Sequence, residues 1–286
     1  MAAYALPHQM QDALTLLTDG DWQIIAGGTD VYPASADRPL RADMLDISRL
    51  GELKGIERLQ AGWRIGATAT WTEVVDADLP AAFDGLKAAA REVGSWQIQN
   101  AGTVGGNLCN ASPAADGVPP LLTLNASIEL SSLQGVRQVP LADFITGVRQ
   151  TARRADELLS AIIVPDVPGS ATSSFIKLGA RRYLVISIAM VAAVIETGAD
   201  GRVTDARVAV GSCSPVARRL PDLEAALIGH RADAATLAGV VTDAHVAGLS
   251  PIADVRGSAE YRYDAAAELV RRALAKAVTG TVEGQA

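Results

Sequence analysis

Ala26-Gly27-Gly28-Thr29-Asp30 and Gly102-Thr103-Val104-Gly105-Gly106-Asn107 are the two stretches on which the reading of this chain turns. Each follows or interrupts an apolar run and joins glycines to a hydroxyl residue and a polar amide or carboxylate. Glycine permits the positive φ of a tight turn and lets main-chain N–H groups approach an anion without a Cβ in the way. Thr29 and Thr103 add further donors, so two such turns are suited to hold one pyrophosphate from two sides. The second stretch continues through Leu108-Cys109-Asn110-Ala111-Ser112-Pro113-Ala114-Ala115-Asp116, too small and polar for a core strand or a good helix. Such a run is expected to wrap something. Neither stretch is a Rossmann or P-loop fingerprint: the first lacks the third glycine of G-x-G-x-x-G, and no Gly-Lys-Ser/Thr closes a Walker loop.

Outward from these turns, an amphipathic helix is expected near Gln9 to Leu17, ending by Gly20, with a strand Gln23 to Ala26 delivering the first turn. Trp63 to Ala67 reads as a strand, and Thr70-Trp71-Thr72-Glu73 as a capping box opening a helix. Ala81 to Glu92 reads as one helix leading toward the second turn. Pro165-Asp166-Val167-Pro168-Gly169-Ser170 marks a boundary. After it, Met190 to Glu196 and Arg202 to Gly211 flank a turn-rich Thr197-Gly198-Ala199-Asp200-Gly201, the pattern of a hairpin. Apolar Ala266, Leu269, Val270, Ala273, Leu274, Ala277 and Val278 recur at three and four residues in a terminal helix, Ser258 to Val278.

The chain is long for one core at 286 residues, so two or three compact units are expected. With 49% hydrophobic and 20% charged residues it is a folded globular protein. A net charge of −7 argues against a nucleic-acid partner. The longest apolar run, Tyr183 to Ile195, is too short to span a bilayer, and no basic-then-apolar leader is seen at the N-terminus, so no transmembrane segment and cytoplasmic residence are expected. Cys109 and Cys213 are too few for an iron–sulfur cluster and read as reduced, buried residues. His8, His230 and His245 lack metal-ligand spacing, so neither a metal site nor a hydrolytic triad is expected.

Taken together, the two glycine stretches and the Ala111-Ser112-Pro113-Ala114-Ala115-Asp116 continuation resemble the FAD-binding medium subunit of the molybdenum hydroxylases, the family of carbon monoxide dehydrogenase and xanthine dehydrogenase flavoproteins. The resemblance continues in order through Leu158 to Pro165, Phe175-Ile176-Lys177-Leu178 and Gly257-Ser258-Ala259-Glu260-Tyr261-Arg262. It implies an α+β fold: a two-lobed FAD-binding domain of the PCMH (vanillyl-alcohol-oxidase) type, with lobes at 1–57 and 58–168. A small C-terminal domain at 172–280, with a short antiparallel sheet and helices, would follow.

By the same resemblance, the FAD-binding set is Ile24, Ile25, Ala26, Gly27, Gly28, Thr29, Asp30 and Val31, then Thr103, Val104, Gly105, Gly106 and Asn107, with Ser112, Asp116, Leu158 and Lys177. The two turns would cradle the pyrophosphate and Asp116 would bond sugar or ribityl hydroxyls. Leu158 and Lys177 would lie near the isoalloxazine, where an ammonium favours an anionic reduced ring. Simpler alternatives stay open. Asp116 caps a helix around Pro119 to Leu124, Asp30 stabilises its own turn, and Lys177 is a strand lysine with a solvated tip. Two positions depart from the common family pattern: Gln99 stands where arginine is frequent, and Ser187 where aspartate is, after the basic Arg181 and Arg182, which read as surface charge or partner docking. No catalytic residue is assigned to this chain.

The resemblance further implies a large molybdopterin-binding partner and a small partner with [2Fe–2S] clusters, with a dimer of heterotrimers as one arrangement. Electrons would pass through FAD to NAD⁺, a quinone or dioxygen. The alternatives are a free-standing FAD-dependent oxidoreductase, related to the enolpyruvyl-sugar reductases, and a scaffold of this fold that has lost flavin.

Overall fold

A computed structural model describes residues 2–35, 41–182 and 184–280. In chain order its strands are β1 (Tyr4–Ala5), β2 (Trp22–Ile25), β3 (Asp43–Asp46), β4 (Ile56–Leu59), β5 (Gly62–Gly66), β6 (Ser127–Ser132), β7 (Gly135–Pro140), β8 (Ile145–Gly147), β9 (Gln150–Thr151), β10 (Leu158–Pro165), β11 (Ala171–Leu178), β12 (Ala189–Thr197), β13 (Val203–Gly211) and β14 (Arg218–Arg219). The helices are α1 (Met10–Asp19), α2 (Val31–Ser35), α3 (Trp71–Asp76), α4 (Asp84–Glu92), α5 (Trp96–Ala101), α6 (Val104–Asn110), α7 (Val118–Thr123), α8 (Leu141–Phe144), α9 (Pro221–Leu227), α10 (Ala234–Val240) and α11 (Ala259–Thr279).

Two compact units interleave along the sequence. The first comprises Met1–Ala77, Ser95–Ser112 and Ala126–Pro165, and the second Asp78–Gly94, Pro113–Asn125 and Asp166–Ala286. Within the first, β1, β3 and β2 form a parallel sheet in that order, and β4, β5, β10, β6 and β7 an antiparallel one. β2 ends at the first glycine turn, as expected. Thr70 caps α3 in the expected box: its hydroxyl accepts from Glu73 N–H at 3.2 Å while Glu73 Oε2 accepts from Thr70 N–H at 2.6 Å.

In the second unit, β11, β12, β13 and β14 form an antiparallel sheet whose central hairpin, β12–β13, is the one the turn-rich sequence indicates. Side chains alternate across a strand, so the sheet has two apolar faces. Val191, Ala193, Ile195, Val208 and Val210 pack with Leu269, Val270, Ala273 and Leu274 of α11, whereas Phe175, Met190 and Ala192 pack with Ala89 of α4. The terminal helix starts where its sequence places it, with Ser258 Oγ accepting from Tyr261 N–H.

One expected helix is interrupted. Residues 81–83 form a 3₁₀ turn and α4 begins only at Asp84. The cause is Ser173 on β11: its hydroxyl accepts from Gly85 N–H at 2.8 Å and donates to Ala81 O at 3.0 Å. It thus stands inside the Gly85-to-Ala81 bond that a continuous α-helix would make, a known way of breaking the ladder.

Candidate functional site

The first glycine segment leaves β2 at Ile25, whose carbonyl accepts from Ile47 N–H at 2.9 Å. Gly28 sits at φ 70°, in the left-handed region, and its carbonyl receives Tyr32 N–H as α2 begins. Among the described residues, no protein acceptor takes the N–H of Gly27, Gly28, Thr29 or Asp30. Consecutive main-chain donors around a left-handed glycine form a concavity suited to an anion. Gly27 and Gly102 bring the two glycine segments together: a Cβ on Gly27 would meet Ala101 O, and one on Gly102 would lie 3.4 Å from Thr29 Oγ1.

The second segment works differently from the first. Thr103 caps α6, its hydroxyl accepting from Gly106 N–H at 3.0 Å and its carbonyl from Asn107 N–H at 3.0 Å. Val104 and Gly105 give their N–H groups to Ala69 O and Ala67 O, each at 2.9 Å. Of the two turns expected to offer main-chain donors, only 27–30 leaves its N–H groups unengaged, since α6 spends its first N–H groups on docking to the strand-end loop 67–69. Gly105 is required by that docking, because a Cβ there would stand 2.6 Å from Ala67 O. What the segment leaves open is the Asn107 amide, whose buried Oδ1 has no hydrogen-bond partner. An asparagine amide can turn either its oxygen or its nitrogen to that place.

Arg149, which the sequence reading missed, closes the other end of α6. At φ 59° it gives its N–H to Ala111 O at 2.9 Å, and its guanidinium to Asn110 O and Oδ1. The only signal in the sequence is a basic residue in a tight hairpin, which is too common to single out. Cys109, expected buried, is exposed in the last turn of α6, because Val104 and Leu108 define the inward face and residue 109 lies off it. Enough protein still surrounds the thiol to push it up to about 11. Cys213 is buried, as expected.

Asp116 and Lys177 meet in the second unit. Lys177 Nζ, on β11, donates to Asp116 Oδ2 at 2.7 Å and to Glu92 O at 3.2 Å, while Ser187 Oγ donates to Asp116 Oδ1 at 2.6 Å. The Lys177 side chain is only 6% exposed, which removes the solvated-tip alternative. Asp116 does not cap α7 either, whose N-cap is Gly117 with no side-chain cap bond. Burial raises the Asp116 carboxyl above its ordinary range, against the lowering pull of Lys177 and Ser187. Glu92 is likewise raised by burial. Leu158 lies in the first unit, its side chain buried on β10 opposite Ser131. Ile25 is buried, whereas Ile24, Val31 and Ser112 are half-buried.

Residues 1–167 match the FAD binding domain in molybdopterin dehydrogenase, and residues 174–277 the CO dehydrogenase flavoprotein C-terminal domain. The chain belongs to the FAD-binding medium subunits of the molybdenum hydroxylases. It is 36% identical over 285 residues to the nicotine 6-hydroxylase medium subunit of Paenarthrobacter nicotinovorans, covering 96% of each chain. With the carbon monoxide dehydrogenase medium chain of Afipia carboxidovorans it shares 30% over 278 residues, again 96% of each. A chain in the crystal structure of quinoline 2-oxidoreductase from Pseudomonas putida 86 superposes with a TM-score of 0.88 at 28% identity, over 98% of both. The residues present in this medium subunit fit FAD. The free donors of 27–30 suit a diphosphate and the orphaned Asn107 amide awaits a polar partner. Asp116, with one bond on each oxygen, keeps acceptor capacity for a hydroxyl. No helix among the described residues is long and apolar enough to cross a membrane.

Proposed function

We propose that this medium subunit is the electron-relay component of a cytoplasmic heteromeric hydroxylase. It would take electrons from [2Fe–2S] clusters on a small partner and pass them through its own FAD to a terminal acceptor such as NAD⁺, a quinone or dioxygen. Substrate hydroxylation falls to a large molybdopterin-binding partner. The observation that carries the proposal is the run of unengaged N–H groups at 27–30, packed at Gly27 against the main chain of Ala101 and Gly102, just before the Thr103–Asn107 segment. The two cysteines, half of what a cluster takes, support placing the clusters elsewhere. The similarity to chains named as medium subunits supports the partner set.

Bound FAD supplies chemistry in one-electron and two-electron steps, which suits a junction between clusters and a two-electron acceptor. The chain's own residues would bind and orient it. Gly27 to Asp30 hold the diphosphate, with Ile24, Ile25, Ala26 and Val31 shaping the turn and Thr103 to Asn107 supporting it. Ser112 and Asp116 take hydroxyls, and Leu158 and Lys177 serve the ring. The lobes at 1–57 and 58–168 and the domain at 172–280 are the proposed functional divisions.

The test compares the purified chain with the reconstituted three-subunit complex, offered N-heterocycles, aldehydes and carbon monoxide. The chain alone should bind FAD in preference to FMN and exchange electrons with an artificial dye, yet turn over none of the substrates. Substrate turnover by the chain alone, at a rate comparable with the complex, would replace the relay reading with a free-standing oxidoreductase. A chain that takes up no flavin would make it a scaffold.

A further inference from the structure

We infer that Ser187 is a positioning residue of the cofactor site: together with Lys177 it fixes the orientation of the Asp116 carboxylate, leaving each of its oxygens one free direction for a ligand hydroxyl. The inference rests on the flavin-binding reading above. The fold gives Ser187 a specific partner, the Asp116 carboxylate.

The geometry is that of a three-residue lock. Lys177 Nζ holds Asp116 Oδ2 at 2.7 Å, and Ser187 Oγ holds Oδ1 at 2.6 Å, a length typical of a hydroxyl donating to an ionised carboxylate. A carboxylate offers about four lone-pair sites, of which these bonds use two. Ser187 is 2% exposed and Asp116 7% exposed, so neither group has bulk water as an alternative partner. With one bond on each oxygen the carboxylate cannot rotate without breaking both. The hydroxyl also adds no charge. An aspartate at 187 would instead set a second carboxylate within hydrogen-bonding distance of the first, and two such groups ionise together only at a large penalty.

The surroundings make the lock sensitive to its members. Burial favours the protonated form of Asp116, and Lys177 and Ser187 oppose it. The other charged groups about this cluster are Glu92 at the end of α4, whose carboxyl interacts electrostatically with both Lys177 and Asp116, and Arg182 and Lys276, which act on Glu92. Removing the Ser187 hydroxyl leaves that charge distribution intact, so a change in the behaviour of Asp116 reports the lost bond and not a lost charge.

The test uses the full chain with FAD as probe, following flavin fluorescence to obtain the dissociation constant between about pH 5 and 9, beside the melting temperature of each flavin-free protein. In the wild type, binding should weaken on the acid side as Asp116 takes up a proton and loses acceptor capacity. Ser187→Ala should weaken binding about tenfold on the plateau, the scale of one hydrogen bond to a charged group, and move the acid limb to higher pH. Ser187→Thr should restore both, and Asp116→Asn should flatten the profile. Ser187→Thr and Ser187→Val, alike in shape, keep the comparison decisive should Ser187→Ala misfold. A hydroxyl-free variant with the wild-type limb and plateau would overturn the inference while leaving flavin binding intact. Failure of the wild type to bind FAD at any pH would overturn the flavin reading, and this inference with it.

Discussion

Gly27 lies so close to Ala101 that a Cβ built on it would stand 1.7 Å from the Ala101 carbonyl oxygen. The contact is between two main chains, so no side-chain rotation can relieve it. Gly27→Ala is therefore expected to lower the melting temperature of the flavin-free chain, by an amount corresponding to more than about 3 kcal/mol, the upper end of ordinary overpacking. Calorimetry without flavin checks this.

Gly28→Ala should separate binding from folding. Here φ is 70°, and the added Cβ clashes with the ring of Tyr32, an exposed side chain able to move, and lies 3.4 Å from Ile25 Cδ1, an ordinary contact. The backbone penalty is roughly 1–2 kcal/mol. The variant should stay folded, melt a few degrees lower, and lose FAD affinity about tenfold or more because the donors at 27–30 are redirected. Equal losses of binding and stability in Gly27→Ala and Gly28→Ala would contradict the division of labour between the two glycines.

Lys177→Met strands Asp116 without its counter-ion in a buried place, a change worth about 3–5 kcal/mol when a buried pair is broken. The Asp116 carboxyl, already raised, rises further. A raised folded-state value means the protonated form is favoured in the fold, so stability from this group is present at low pH and lost as pH climbs through that value. The deficit of the variant relative to wild type should be largest at neutral pH and shrink toward pH 5. Adding Asp116→Asn should recover most of it, as urea midpoints across that range will report.

Asp254 is held down to about 2, chiefly by Arg256 N–H, then by the Arg262 and Arg256 guanidinium groups. A lowered value has the opposite sign: the stabilisation is present above about pH 4 and disappears as pH falls toward 2. With its side chain 23% exposed, roughly 1–2 kcal/mol is expected after solvent screening. Between pH 6 and 3, wild type should lose more stability than Asp254→Asn, a difference that matched denaturation curves will measure.

Features set by a local rule were legible in the sequence at Thr70 to Glu73, the β12–β13 turn and the apolar spacing of the terminal helix. Partnerships made by distant residues were not. The break before α4 depends on a hydroxyl at 173, and the fate of Asp116 on side chains at 177 and 187. The glycines were found for a reason only partly right. Of those in the two segments Gly28 alone has a positive φ, whereas Gly27, Gly102 and Gly105 answer to nearby carbonyls that no local pattern announces.

The interleaving of the two units bears on how the chain is made. α4 and α7 belong with β11–β13, yet both leave the ribosome well before that sheet exists. Ala89 meets Phe175 only after the intervening residues have been synthesised, a delay on the order of ten seconds at typical elongation rates. Through that interval Val118, Leu121 and Leu122, all buried in the finished protein, have no sheet to cover them. A fragment stopped at Pro165 would stay in that condition permanently and is expected to aggregate, so α4 and α7 find their cover only with the last two fifths of the polypeptide.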